Sequence, residues 1–334
     1  LRGGADAIDY SGIADYSGKR VLVTGGAGFI GSNLVDALLE SGAAFVRVLD
    51  NLTTGHESNL DKAKAVGGAD GRFEFIKGDI TDLNVCKDAC ANIDVVFHEA
   101  ALVSVPRSMT EPILNHDINI TGTLNMLVAA AAADVKRFVY ASSAATYGSL
   151  PELPKRETQP RDYPSPYALS KGVCEDYANL WAADAKLGNG MSCVGLRYFN
   201  VYGPRQDPRS VYSGVISIFA SRIAGDQPIT VFGDGSNTRD FVFVGDVVQA
   251  NLLAGAKPME GGAVFNVGTG NAISLLDLIE TINGVLRKSA EPIMAEERAG
   301  DIKHSVSDIS KIRTELGYEP KYTLEQGLAV LLKA

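Results

Sequence analysis

Several large protein classes are excluded by what this chain has little of. The longest uninterrupted apolar run, Met126 to Ala133, is too short to span a bilayer and falls in a helical pattern. Basic residues are outnumbered, 31 Lys and Arg against 40 Asp and Glu, which leaves a formal charge of −9. That balance argues against nucleic acid or an anionic membrane as a partner, so any anionic ligand must be held by local donors. There are only four cysteines (Cys86, Cys90, Cys174, Cys193) and four histidines (His56, His98, His116, His304), and neither set has zinc-site spacing. No metal is expected. The thiols read as reduced and structural, Cys86 and Cys90 sharing a helix face, as in a cytoplasmic protein. Internal repeats and low-complexity linkers are also missing. Residues 1–18, polar and glycine-rich, read as an N-terminal extension.

What is present is a globular composition, 46% hydrophobic and 21% charged. Short β-branched runs at 20–25, 45–50, 73–79, 94–100 and 137–143 predict strands. Between them lie helical patterns such as NLVDALLESG over 33–42 and a long helix ending in TLNMLVAAAAADV. Strand–helix–strand units of this length imply an α/β fold, a Rossmann-like doubly wound parallel sheet. Beyond residue 200, Pro and Gly recur and the helices shorten, which predicts a smaller mixed α/β substrate-binding domain. The expected division is 19–200 for the Rossmann domain and 201–334 mainly for the substrate domain, with later segments able to return to the first.

VTGGAGFIG (23–31) ends a predicted strand and opens a predicted helix. Gly25, Gly28 and Gly31 let the backbone turn tightly and approach a pyrophosphate, which the helix N-terminus at Phe29 and Ile30 would receive. Asp50, 25 residues after Gly25, ends the second strand and can accept from the adenosine ribose. A carboxylate there repels a 2′-phosphate, so NAD is expected rather than NADP. Asn51 follows it, Asp79 and Ile80 would contact adenine, and EAALVS (99–104) would line the cofactor through Ala100 and Ala101. Tyr167 and Lys171 of SPYALSK project from one helix face. By spacing alone they are either a catalytic pair or an ordinary tyrosine with a snorkelling lysine.

With TGGAGFIG, DNLTTG, HEAA, INITGT, SSAATYG, SPYALSK, LRYFNVYGPRQDP, TRDFVFVGD and FNVGTG in this order, the chain resembles the extended short-chain dehydrogenase/reductases from Lys19 to its end. It is most similar to their nucleotide-sugar 4-epimerases, and in particular to those acting on UDP-N-acetylglucosamine. The resemblance implies that Tyr167 is the general base, helped by Lys171, which also binds the nicotinamide ribose. A phenol ordinarily titrates near about 10, so its neighbours must favour the anion. The resemblance further implies that Ser143 bonds the reacting hydroxyl, with Ser142 the weaker candidate. It places Asn119 and Tyr198 about the cofactor. Asn119 could otherwise be a polar spacer on an exposed face.

The same resemblance separates reactions. Nucleotide-sugar 4,6-dehydratases carry an Asp-Glu pair where this chain has Ala144 and Ala145, and UDP-glucuronate decarboxylases usually have Glu at the second position. A methyl group transfers no proton, so reversible oxidation at C4 is expected. Asn200, Arg205, Arg239 and Arg298 would bind the diphosphate, with Arg209 less certain, and Asp301 would accept from the uridine ribose. The resemblance implies that Ser104 in SVPRS and Ser305 belong to the sugar pocket, the alternative for Ser305 being just a small loop residue. Ser305 stands where bacterial UDP-galactose epimerases have tyrosine, which leaves room for a 2-acetamido group. The expected partners are a UDP-sugar and a second copy of the chain, in a homodimer. A UDP-glucuronate 4-epimerase or another NAD-dependent nucleotide-sugar oxidoreductase is the alternative enzyme, and a dinucleotide-sensing protein the non-enzymatic one.

Overall fold

The structure, a computed structural model, describes residues 8–206, 214–297 and 302–333. In chain order the first half runs β1 (Arg20–Thr24), α1 (Phe29–Glu40), β2 (Phe45–Asp50), α2 (Asp61–Gly67), β3 (Phe73–Lys77), α3 (Leu83–Cys90) and β4 (Val95–His98). It continues through α4 (Val105–Thr110), α5 (Pro112–Asn115), a π-helical turn over His116–Thr121, α6 (Gly122–Ala132), β5 (Arg137–Ser143), α7 (Pro166–Ala183), α8 (Ala185–Gly188) and β6 (Ser192–Tyr198). The second half holds β7 (Asn200–Tyr202), α9 (Val215–Ala224), β8 (Ile229–Phe232), β9 (Thr238–Arg239), β10 (Phe241–Phe243) and α10 (Val244–Ala256). It ends with β11 (Gly262–Val267), β12 (Ile273–Ser274), α11 (Leu275–Leu286), β13 (Pro292–Ala295), α12 (Ser310–Leu316) and α13 (Leu324–Leu331).

Seven strands form one sheet in the order β11-β6-β5-β4-β1-β2-β3, and every neighbouring pair is parallel. The chain builds outward from β1 to β3, then crosses back to β4 on the other side of β1. That reversal opens a crevice at the carboxyl ends of β1 and β4, where doubly wound sheets bind ligands. The strands read as continuous apolar runs because helices cover both faces. Leu34 and Leu38 of α1 with Val247 and Val248 of α10 fill one side. Met126 and Leu127 of α6, Trp181 of α7 and the Cys86–Cys90 face of α3 fill the other. All four thiols are buried and unpaired.

β11 closes the sheet's far edge although it lies beyond residue 200. The rest of the second half is a patchwork of two-stranded pairs, β7–β10, β9–β12 and β8–β13. They share a separate core that includes Tyr202, Phe219, Phe243, Ile282 and Leu328. The polar N-terminal stretch also contributes to the interior from residue 8 onward. Tyr10 and Tyr16 are buried, and the Tyr16 hydroxyl donates to Leu252 O at 2.8 Å. Among the described residues no helix is long and apolar enough to cross a membrane.

Candidate active site

The glycine turn follows from sterics. A Cβ on Gly25 would stand 2.7 Å from Ala100 N, and one on Gly31 would stand 2.3 Å from Gly25 O. Gly25 also has φ +66°, a left-handed backbone that favours glycine. α1 then begins with Gly28 as its N-cap, with no side chain capping it and no acidic residue in its first turn. The N–H groups of Phe29, Ile30 and Gly31 open α1 without a side-chain cap, and a pyrophosphate fits that need. Asp50 accepts from Ala27 N at 3.0 Å and Leu52 N at 2.8 Å, so it braces the turn and keeps acceptor capacity for a ribose.

Asn51 Nδ2 donates to Asp79 at 2.8 Å, and the Thr81 N–H and hydroxyl donate to its other oxygen. Burial acts upward on the Asp79 carboxyl, but these donors prevail and hold it below its ordinary range. The Ile80 side chain is buried against Gly122, at whose Cβ position it would come within 2.6 Å, so it packs into the core and leaves only the backbone of Ile80 for a ligand.

At the end of β4, Ala100 N donates to Thr24 Oγ1 at 3.2 Å. Thr24 Oγ1 lies 2.8 Å from His98 Nδ1, and His98 Nε2 lies 3.0 Å from Thr123 Oγ1. Thr123 spends its own hydrogen on Asn119 O at 2.6 Å. The imidazole must therefore donate from Nε2 and accept at Nδ1 from Thr24. Burial, helped by the charge of Lys171, pushes His98 down to about 3, so it stays neutral. Asn119 is no exposed spacer. It is 2% exposed, accepts from Leu102 N at 2.8 Å, and donates to Leu102 O and to Ser170 Oγ, next to Lys171. It sits in the π-helical turn, a distortion frequent at functional sites.

α7 starts where Ser165 accepts from Ala168 N, with Pro166 in the first turn. One turn later Tyr167 and Lys171 are both buried, and the ammonium lies 6.0 Å from the centre of the phenol ring. Lys171 donates to Ala141 O on β5 at 2.8 Å, which brings the pair to the crevice. Tyr167 N donates to Ser108 Oγ at 3.1 Å. The two serines ending β5 part company here. Ser142 is 2% exposed and donates inward to Glu175. Ser143 accepts from Ala145 N at 3.1 Å and keeps its hydroxyl hydrogen.

Glu175 went unnoticed in the sequence. Arg197 of β6 grips it with two bonds, at 2.8 and 2.7 Å, and Arg161 adds a third contact at 3.5 Å. The cluster ties α7 to β5 and β6 directly under Ser143. The signal that could have found it is spacing, since Glu175 lies one turn past Lys171 on the same face.

The substrate-side residues divide. Asp240, fully buried, accepts from Thr269 N, Thr269 Oγ1, Gly270 N and Ser307 N at 2.7 to 3.1 Å, and also from the Ser307 hydroxyl. It thereby fixes Arg239 before it, whose Nη1 donates to Thr238 O and Lys303 O. Ser305 N donates to Thr238 O at 3.1 Å, and Asn200 N to Asp240 O at 3.0 Å, so Asn200, Arg239 and Ser305 gather on one framework. Ser104 caps α4, accepting from Arg107 N at 3.0 Å.

Two expected ligand residues have protein partners. Arg205, in a left-handed turn at φ +70°, is ion-paired at 2.6 Å with the buried Asp36 of α1. The Tyr198 hydroxyl donates to Glu99 and accepts from Asn251. Arg209, Arg298 and Asp301 lie outside the described residues.

Known proteins share this arrangement. The family model described as "NAD dependent epimerase/dehydratase family" matches residues 21–268. A UDP-glucose 4-epimerase of Mycolicibacterium smegmatis is 40% identical over 312 residues, 93% of this chain and 96% of that one. A UDP-N-acetylglucosamine 4-epimerase of Methanobrevibacter ruminantium, solved with UDP-N-acetylmuramic acid, superposes with a TM-score of 0.87 at 36% identity, covering 95% of this chain and 98% of that one. A Thermus thermophilus UDP-glucose 4-epimerase solved with NAD superposes with a TM-score of 0.82 at 37% identity, covering 94% and 98%. The chain belongs to the NAD-dependent epimerase/dehydratase family.

Proposed function

We propose that this member of the family is a UDP-hexose 4-epimerase, acting on UDP-GlcNAc and UDP-GalNAc and also on UDP-Glc and UDP-Gal. The observation that carries the reading is Ser143 at the end of β5 beside the Tyr167–Lys171 turn, with only the methyl groups of Ala144 and Ala145 following it. The three relatives named above, all 4-epimerases, support it, one of them acting on an acetylated sugar. The small Ser305 supports an acetylated substrate here as well.

Bound NAD supplies a reversible hydride acceptor. Tyr167 takes the C4 hydroxyl proton and later returns it, Lys171 keeps a positive charge beside the phenol, and Ser143 donates to the reacting oxygen. Asn119 and the Glu175–Arg197 pair hold α7 in place while this happens. Because the hydride goes back to the same carbon, no external redox partner is consumed. Residues 19–200, joined by α10 and β11, would bind NAD, and the remainder of 201–334 would bind the UDP-sugar. Exposed Met109, Ile113, Leu169 and Leu180 on α4, α5 and α7 support a helix-mediated homodimer.

Incubating the purified protein separately with the four UDP-hexoses, without added reductant, tests the reading by chromatography. Each should yield its C4 epimer, and Tyr167→Phe should lower turnover on the order of 10³-fold with NAD still bound. Inert sugars, or full activity in that variant, would sink it. Sedimentation of the same preparation should give twice the 35.3 kDa chain mass, and a monomer would exclude the dimer.

A further inference from the structure

Of the three residues that handle the proton, only Ser143 sits on no long helix. It ends β5 and opens a 3-10 turn over Ala144–Tyr147. That turn is braced from within: Ala145 N donates to Ser143 Oγ at 3.1 Å, and Thr146 Oγ1 donates to Ser143 O at 2.8 Å. Ser143 therefore moves with the turn, and the attachments on either flank decide where the turn sits.

The attachments on the β5 side lead to α7. Tyr167, Lys171 and Glu175 follow one another at four-residue spacing along one face of that helix. Lys171 Nζ donates to Ala141 O at 2.8 Å, and the Ser142 hydroxyl donates to Glu175 Oε1 at 2.5 Å. The helix that carries Tyr167 thus bonds the two residues immediately before Ser143. Ser142 lies in register with Arg197 of β6, so both side chains leave the sheet on one face and meet the same carboxylate. On the other flank, the Arg197 guanidinium stands 4.7 Å from the centre of the Tyr147 ring, whose hydroxyl donates to Asn266 Oδ1 at 2.6 Å.

The buried carboxylate does not need Ser142. Arg197 already donates to both Glu175 oxygens, and Arg161 lies 3.5 Å from one of them. An alanine at 142 would leave Glu175 paired and would bury no orphaned hydroxyl. What the hydroxyl adds is a fixed point on β5, one residue from Ser143. We propose that Ser142 is a positioning residue: by tying β5 to Glu175 it sets the Ser143 turn against Tyr167, so that both reach one substrate oxygen. The proposal rests on the 4-epimerase reading above. Two groups acting on one hydroxyl lose rate steeply when their separation drifts by about 1 Å. Ser142 itself is 2% exposed and turned toward α7, so it offers no surface to a ligand, and the cost falls on kcat rather than KM.

The test is a mutant cycle in the holoenzyme of S142A, Ser143→Ala and the double variant, with Ser142→Thr as the rescue that keeps the hydroxyl. With a UDP-hexose that wild type turns over, S142A should lower kcat on the order of 10-fold at unchanged KM, NAD content and melting temperature. Threonine should restore most of it. In the Ser143→Ala background S142A should cost nothing further, because the residue through which it acts is gone. Hydrogen exchange supplies a reading without sugar: amides of Ala144–Gly148 should exchange about tenfold faster in S142A, with α7 unchanged. An equal loss of kcat in both backgrounds, a lowered melting temperature, or unchanged exchange overturns the proposal. A wild type inert toward all four sugars whose turn still loosens in S142A would defeat the 4-epimerase reading and leave the Ser142 anchor standing.

Discussion

Between residues 24 and 31 the candidate anion cradle is made by backbone, whereas the framework beyond residue 200 is made mostly by side chains gathered from distant segments. In the first region the turn from Gly25 to Gly31 is closed by main-chain contacts, and the donors for an anion are uncapped N–H groups of α1. In the second, the carboxylate of Asp240, between β9 and β10, collects Thr269, Gly270 and Ser307 across more than sixty residues and so ties the segment after β11 and the segment before α12 to it. The comparison teaches that the two half-sites fail differently. A backbone cradle is lost through a steric intrusion of one methyl group, while a side-chain framework is lost through removal of one acceptor.

The largest effect should come from the first region. Gly31→Ala drives a methyl group into Gly25 O and Gly26 Cα, and the turn must open. NAD affinity should fall on the order of 100-fold, measured as dinucleotide retained per chain after gel filtration. Full occupancy would show that the cradle tolerates the change and would break the contrast.

Asp240→Asn is the matching change in the second region. An amide nitrogen cannot accept, so at least one of the donors now converging on Asp240 is orphaned, at about 1–3 kcal/mol. KM for the UDP-sugar should rise about tenfold with NAD content unchanged. Parallel loss of NAD would mean that the two regions do not work independently.

The smallest effect is a pH dependence beside the first region. His98 stays neutral in the fold down to about 3, whereas it would ordinarily titrate at 6.5. Below 6.5 the unfolded chain binds the proton and the fold does not, so stability is complete above that pH and declines as pH falls toward 3. At pH 5 the loss is about 2 kcal/mol. Thermal unfolding at pH 7 and 5 should show it, and His98→Gln should narrow the difference between the two. An equal acid sensitivity in that variant would place the effect elsewhere.

The same contrast explains what could be read without coordinates. The strands and helices of the first half are local patterns and fall where they were read to within a few residues, although the helix read over 33–42 starts earlier, at Phe29, and the strand read over 94–100 is confined to Val95–His98. The resemblance already favoured Ser143 over Ser142, and the inward bond from Ser142 to Glu175 gives the physical reason. Arg205 was read as a phosphate ligand from its place in the family motif, and the fold also brings it to Asp36, 169 residues earlier, a pairing no local pattern shows. Ile80 was read by its place after a strand, and packing against Gly122 turned it inward.

By itself the sequence determined the strand and helix alternation of the first half, the glycine spacing and the paired tyrosine and lysine, because each is a pattern among residues close in the chain. Only the tertiary structure decided which polar side chains meet: Glu99 with Tyr198 and Asn251, Asp240 with Ser307, Glu175 with Arg197. Hydrogen bonds are short-ranged, and partners far apart in sequence become partners only when packing brings them within about 3 Å of each other.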